Sequence, residues 1–236
     1  MINDIRLIHQ ISRVLRMQKG EQATLLDNLG NEFLVEIGEI SMGQVSGKII
    51  DSAKKTEKVR RKIILYQSLL KKDNFELVLQ KCTELGVAYF QPIITERTIK
   101  VKDEVPERWL DIVREAAEQS ERIFIPEILK PRKFFEALKL LNKDAESFLA
   151  YEEAHEPHLS KELSKLEKQK SVNLFIGPEG GFSGKEIELA KENGVKIVSL
   201  GPLILKSETA AVTVSVLGLL DYSGHHQLNQ PRSTHV

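Results

Sequence analysis

The sequence predicts an α/β fold: a parallel sheet flanked by helices, preceded by a small β-rich domain. Three observations predict it. Two short apolar runs, Asn173–Ile176 and Lys196–Leu200, each end in a glycine-bearing turn, Gly177-Pro178-Glu179-Gly180-Gly181 and Gly201-Pro202. A helix-like segment follows each turn. Strand, turn and helix in succession imply parallel strands with their carboxyl ends side by side, where such sheets bind ligands. Residues 1–70, by contrast, carry short, partly alternating runs between asparagine and glycine turns.

Ala23–Leu26, Glu32–Ile40 and Gln44–Ile50 read as strands, and Lys62–Gln67 as a further strand of the same barrel-like domain. The basic run Lys54–Lys62 lies between them and suits either a solvated edge or contact with a polyanion. Arg13 and Arg16 lie three apart, so on a helix they share a face. The pattern changes at Asp73. A helix runs through Phe75, Val78, Leu79 and Cys82 to Leu85, and Gly86 is placed to end it. Val87–Ile94 reads as a strand. Val105–Arg122 reads as a helix with Trp109, Ile112, Val113, Ala116 and Ala117 on one face. Phe134–Leu141 is a short helix, Ser147–Tyr151 a strand and Leu159–Lys170 a charged surface helix. Ser183 with Glu186 forms a capping-box pattern that starts a helix over Gly184–Asn193, and Gly194 ends it. A last helix spans Glu208–Leu220, and the polar tail Ser223–Val236 is read as frayed. The expected domains are therefore residues 1–70 and 71–236.

Composition narrows the function. The chain has 236 residues, 41% hydrophobic and 29% charged, with a formal net charge of zero. A neutral total argues against a general nucleic-acid coat. Residues 1–72 hold 13 Lys and Arg against 8 Asp and Glu, and the remainder 21 against 26, which permits one electropositive face. No apolar run approaches the ~20 residues of a membrane span, and the N-terminus lacks the apolar core of a signal peptide. The expected location is the cytoplasm. Cys82 is the single cysteine, so no disulfide framework or thiolate metal site is expected. His155-Glu156-Pro157-His158 lacks a third ligand, and no metal is expected there either.

Three glycines in the five residues Gly177–Gly181 let backbone N–H and C=O groups approach a ligand closely. That describes a small-molecule pocket built from main chain. Glu179 sits within the first turn, and Glu208 and Thr209 open the last helix. Capping and dipole roles compete with ligand roles for all three.

Four blocks carry a resemblance to a known family. They are His9-Gln-Ile-Ser-Arg-Val-Leu-Arg16 with Gly20; Gln80–Val87 running on to Pro92 and Thr95-Glu-Arg97; Arg108-Trp109 followed by Glu115–Arg122; and Ile176–Ser183 with Leu200-Gly201 and Ile204–Ala210. In this order and spacing they resemble the RsmE family of 16S ribosomal RNA uridine methyltransferases, within the knotted SPOUT class. The resemblance implies a PUA-like barrel for RNA and a trefoil-knotted parallel-sheet domain that holds S-adenosylmethionine. It implies a homodimer, 16S ribosomal RNA or the small subunit as partner, and N3-methyluridine as product.

Carried onto this chain, the implied cofactor residues are Ile176, Gly177, Glu179, Gly180, Gly181, Leu200, Gly201, Leu205, Lys206, Glu208, Thr209 and Ala210. The implied RNA residues are Arg13, Arg16, Arg97, Glu118, Gln119 and Arg122. The proton on uracil N3 needs an acceptor or a stabilised anion, and Glu179 and Glu208 are the catalytic candidates. Leu203 and Lys206 stand where the family commonly has arginine, and the family's opening strand is reduced to Met1–Arg6 or missing. These departures leave two other readings open: a non-catalytic RNA-binding or ribosome-assembly factor with a vestigial pocket, and an α/β enzyme acting on a small molecule.

Overall fold

The computed structural model describes residues 1–41, 43–55, 61–98, 104–167 and 170–219. The tail Ser223–Val236 and residues 56–60 of the basic run lie outside them. The chain divides into two units, the smaller made of everything before residue 59 together with Glu121–Phe124.

The smaller unit opens with a helix, α1 (Ile5–His9), where the sequence pattern gave no element. Asp4 caps it, its carboxylate accepting from Arg6 N at 2.8 Å and Leu7 N at 3.1 Å. A π-helical turn, Gln10–Val14, follows. Arg16 has a φ of +52° and lies beyond that turn, so it does not share a helical face with Arg13. Ahead of α1, Ile2 bridges Val45 antiparallel. Strands β1 (Gln22–Leu26), β2 (Asn31–Ser41) and β3 (Gln44–Lys54) form an antiparallel meander. Asp27 shapes the β1–β2 turn by accepting from Leu29 N, Asn31 N and the Asn31 amide. Those bonds, the Asn31 side chain first, hold its carboxyl below the ordinary range. Alternation works as expected on β2: Val35 and Ile37 are buried and Glu36 between them is exposed. Ile37 and Val45 pack with Ile8 and Ile11 as the unit's core.

The larger unit is a parallel sheet covered on both faces. Its elements are β4 (Ile63–Ser68), α2 (Lys72–Leu85), β5 (Tyr89–Ile94), α3 (Glu107–Gln119), β6 (Glu127–Ile128), β7 (Arg132–Lys133), α4 (Phe134–Lys139), β8 (Glu146–Ala150), α5 (Leu159–Leu163), β9 (Val172–Ile176), α6 (Gly184–Glu192), β10 (Lys196–Val198) and α7 (Ser207–Leu219). The strand order is β10-β8-β9-β4-β5-β6, every pair parallel, with β7 also on β5. β4 lies between β5 and β9, inside this sheet, although the sequence pattern grouped it with the antiparallel strands. A short apolar run carries no sign of its direction or of its sheet.

All five residues of β9 are buried, the mark of a strand with helices on both sides. Side chains alternate between the two layers. Ile63 and Leu65 join α2, α3, α5 and α7 in one core. Tyr66 and Phe175 join α4 and α6 in the other, their rings stacked at 4.2 Å. The capping box at α6 is present: Ser183 N donates to Glu186 Oε2 at 2.9 Å, and Glu186 N to Ser183 Oγ at 3.4 Å. The charged helix expected over Leu159–Lys170 is shorter. α5 stops at Leu163, with Leu159, Glu162 and Leu163 buried.

Candidate functional site

The carboxyl ends of β8, β9 and β10 and the start of α2 surround one cavity of about 400 Å³. Lys71 and Asn74 line it from the α2 side, and Ala150, Tyr151 and Glu152 from the end of β8. Ile176–Glu179 and Gly181 line it after β9. Ser199–Gly201, Leu203–Glu208 and Ala210 complete the wall between β10 and α7.

Backbone chemistry shapes the glycine turn. Gly181 N donates to Pro178 O at 2.9 Å, and Gly181 has a φ of +68° that glycine adopts without strain. A Cβ on Gly181 would overlap the Glu152 carboxylate. A Cβ on Gly177 would stand 3.1 Å from the Phe182 ring beneath the turn. Arg97, in the Thr95–Thr98 turn after β5, lies along Gly180 and donates to its carbonyl. Glu186 ties that turn in place. Its Oε1 accepts from Glu96 N at 2.8 Å while Oε2 serves the capping box. Reading Glu186 as a helix cap alone misses this second bond.

Ser207, the first residue of α7, fastens the opposite wall. Its hydroxyl accepts from Gln67 Nε2 at 3.0 Å and donates to Gly177 O at 2.5 Å. The end of β4, the turn after β9 and the start of α7 therefore meet at one side chain. Glu179 Oε1 accepts from Lys71 N at 3.3 Å, which places a carboxylate at the positive end of α2. Tyr151 is pushed above its ordinary pKa by burial and by Glu153, so its phenol stays neutral and can donate at neutral pH. Cys82 lies in the core of α2, not in the cavity. Burial pushes its thiol up to about 12, and Ser215 Oγ donates to its sulfur. It is no nucleophile at neutral pH.

A family model described as an RNA methyltransferase domain matches residues 56–218, and one described as an RNA methyltransferase PUA domain matches residues 8–50. The chain is 34% identical over 205 residues to the ribosomal RNA small subunit methyltransferase E of Synechocystis, covering 86% of this chain and 67% of that protein. It is 32% identical over 212 residues to the enzyme of that name from Bacillus subtilis, covering 86% and 83%. This chain belongs to the RsmE family. Two similar solved structures agree. One is the family enzyme of Neisseria gonorrhoeae bound to S-adenosylmethionine, with a TM-score of 0.82, 28% identity and coverage of 91% and 88%. The other is a Legionella pneumophila methyltransferase in complex with the same cofactor, with a TM-score of 0.80, 34% identity and coverage of 90% and 88%. The fold is the SPOUT-class parallel sheet preceded by a PUA-like antiparallel unit, as the resemblance implied, and this RsmE-family chain is an S-adenosylmethionine-dependent RNA methyltransferase.

Ten of the twelve residues that the resemblance assigns to the cofactor line this RsmE-family cavity: Ile176, Gly177, Glu179, Gly181, Leu200, Gly201, Leu205, Lys206, Glu208 and Ala210. Gly180 faces Arg97, and Thr209 is exposed on α7 away from the wall. The residues assigned to RNA are dispersed. Arg13 and Arg16 are exposed in the smaller unit. Glu118 and Gln119 are exposed at the end of α3. Arg122 is 8% exposed within the smaller unit, and Arg97 braces Gly180. Sequence reasoning missed Lys71, Asn74 and the stretch Ala150–Glu152, and reached Ser207 only as part of the Ile204–Ala210 block. None sits in a glycine turn; the signal available for Ala150–Glu152 was their place at the end of a predicted strand.

The donor set fits S-adenosylmethionine. Gly201 borders the cavity with a φ of +133° and open space where a Cβ would stand. Backbone amides and carbonyls on three turns suit the edge of an adenine, and Glu152, Glu179 and Glu208 suit a cation.

Proposed function

We propose that this protein methylates N3 of a uridine in 16S ribosomal RNA, as a homodimer in the cytoplasm. The observation that carries the proposal is the cavity itself, with main-chain groups from three adjacent turns facing one space. S-adenosylmethionine supplies a methyl group already activated on a sulfonium, so the protein's task is in-line positioning. Gly177, Gly181 and Gly201 bring backbone within reach of an adenine. Ser207 and Arg97 hold the first glycine turn from its two sides. As the N3–methyl bond forms, the N3 proton leaves. Glu179 and Glu208 are the carboxylates on the wall that the resemblance nominates to take it or to orient the base. Arg13, Arg16, Arg97, Glu118, Gln119 and Arg122 are assigned to the RNA side, phosphate contact falling to the exposed arginines.

The test is mass mapping of 16S ribosomal RNA from a strain lacking the gene and from one complemented with it. One N3-methyluridine is lost in the first and restored in the second. Unchanged methylation at every uridine would sink the proposal.

A further inference from the structure

We propose that Glu152 makes the cavity prefer the charged methyl donor to its uncharged product, an inference that rests on the cofactor reading above. The ionisable side chains on the wall, apart from the neutral Tyr151, are Glu152, Glu179, Glu208, Lys71 and Lys206. Three carboxylates and two ammonium groups leave one net negative charge. S-adenosylmethionine carries a sulfonium, an ammonium and a carboxylate, a net charge of +1. In the reaction the sulfur–methyl bond breaks and its electron pair stays on sulfur. The methyl group joins N3, and the N3 proton goes to an acceptor. S-adenosylhomocysteine is left with a neutral thioether and no net charge. The wall therefore complements the donor and not the product.

Glu152 is the carboxylate with this charge to spare. Glu179 accepts from Lys71 N at the start of α2, and Glu208 lies in the first turn of α7, so each of these carboxylates sits at the positive end of a helix, which Glu152 does not. Among the described residues Glu152 has no ion pair and no hydrogen bond. It is an exposed side chain at the edge of the cavity, and its Oε1 lies 2.1 Å from where a Cβ on Gly181 would stand, so it sits directly beside the glycine turn. Arg97 keeps its charge while donating to Gly180 O, but it does not line the cavity and makes no ion pair with Glu152. A carboxylate without an ion-pair partner beside a cavity that takes a sulfonium discriminates by charge. At partly solvated distances one such charge changes affinity by about tenfold.

Calorimetric titration of the full chain tests this with three probes: S-adenosylmethionine, S-adenosylhomocysteine, and sinefungin, which bears an ammonium near the sulfonium position. Glu152→Gln keeps the shape and removes the charge. It weakens S-adenosylmethionine and sinefungin by about tenfold and leaves S-adenosylhomocysteine within about twofold. Glu152→Asp, which keeps the charge, retains most of the preference. Equal weakening of all three probes, or of none, overturns the proposal. If Glu152→Gln fails to fold, salt decides on the unmodified protein. The donor-to-product affinity ratio falls as ionic strength rises from about 0.05 to 0.5 M, and a ratio that does not move refutes the idea. An unmodified protein that binds none of the three would instead refute the cofactor reading itself.

Discussion

At the scale of single residues, charge placement has consequences that can be titrated. The ammonium of Lys165 bonds Glu162, and with Lys196 at 3.9 Å it holds that carboxyl below its ordinary 4.5. A carboxyl depressed in the folded state contributes stability that is complete above its unfolded value and is lost as pH falls through the folded one. The acid limb of the stability curve, below about pH 4.5, is therefore steeper for the natural chain than for Glu162→Gln. Denaturant melts from pH 3 to 7 measure it, and parallel curves would contradict the assignment. Glu162 also shows what residue-level reading missed. The sequence places it on a charged surface helix, whereas α5 buries it beside Lys165. Glycines were legible because Gly177 and Gly181 lack a Cβ for steric reasons that hold locally. The bond from Arg97 to Gly180 O is not legible in the sequence, because its two ends lie 83 residues apart.

At the scale of elements, the joint between the Thr95–Thr98 turn and α6 separates a cap from a brace. Ser183→Ala removes one capping acceptor and costs about 1 kcal/mol. Glu186→Ala leaves Ser183 N and Glu96 N without acceptors in a site where Glu186 is 9% exposed. That costs about 2–3 kcal/mol. Urea midpoints for the two variants give the comparison, and equal losses would mean that the bond to Glu96 contributes nothing. The start of α6 was legible because a capping box is a four-residue signal. The end of α5 was not, because Leu159, Leu163 and Leu166 keep a helical spacing after the helix has stopped. β6 and β7 went unseen because two-residue strands have no period to read. β4 is legible as a strand but its sheet is not, since its partners Tyr89–Ile93 and Val172–Ile176 are distant in sequence.

At the scale of the whole molecule, the cofactor reading predicts a selective thermal shift. Trp109, the only tryptophan, packs on Phe75 in the larger unit at 4.4 Å, so its fluorescence reports that unit's unfolding. S-adenosylmethionine at about 100 times its Kd adds ~2.7 kcal/mol, raising the Trp109 transition by roughly 5–10 °C. A midpoint that stays put at that concentration would show that the cavity does not bind it. The two-part organisation was legible from the change of pattern near Asp73, because alternation and helical spacing are both local. The return of Glu121–Phe124 to the smaller unit was not, because no local pattern announces it. The bond from Gln67 to Ser207 spans 140 residues. During translation the nascent chain must wait for Ser207 to leave the ribosome before that bond can close. The cofactor-binding wall thus stays open on one side until some 140 residues beyond Gln67 have been made, so the order of synthesis puts methyl-donor binding after the folding of the strands that precede α7.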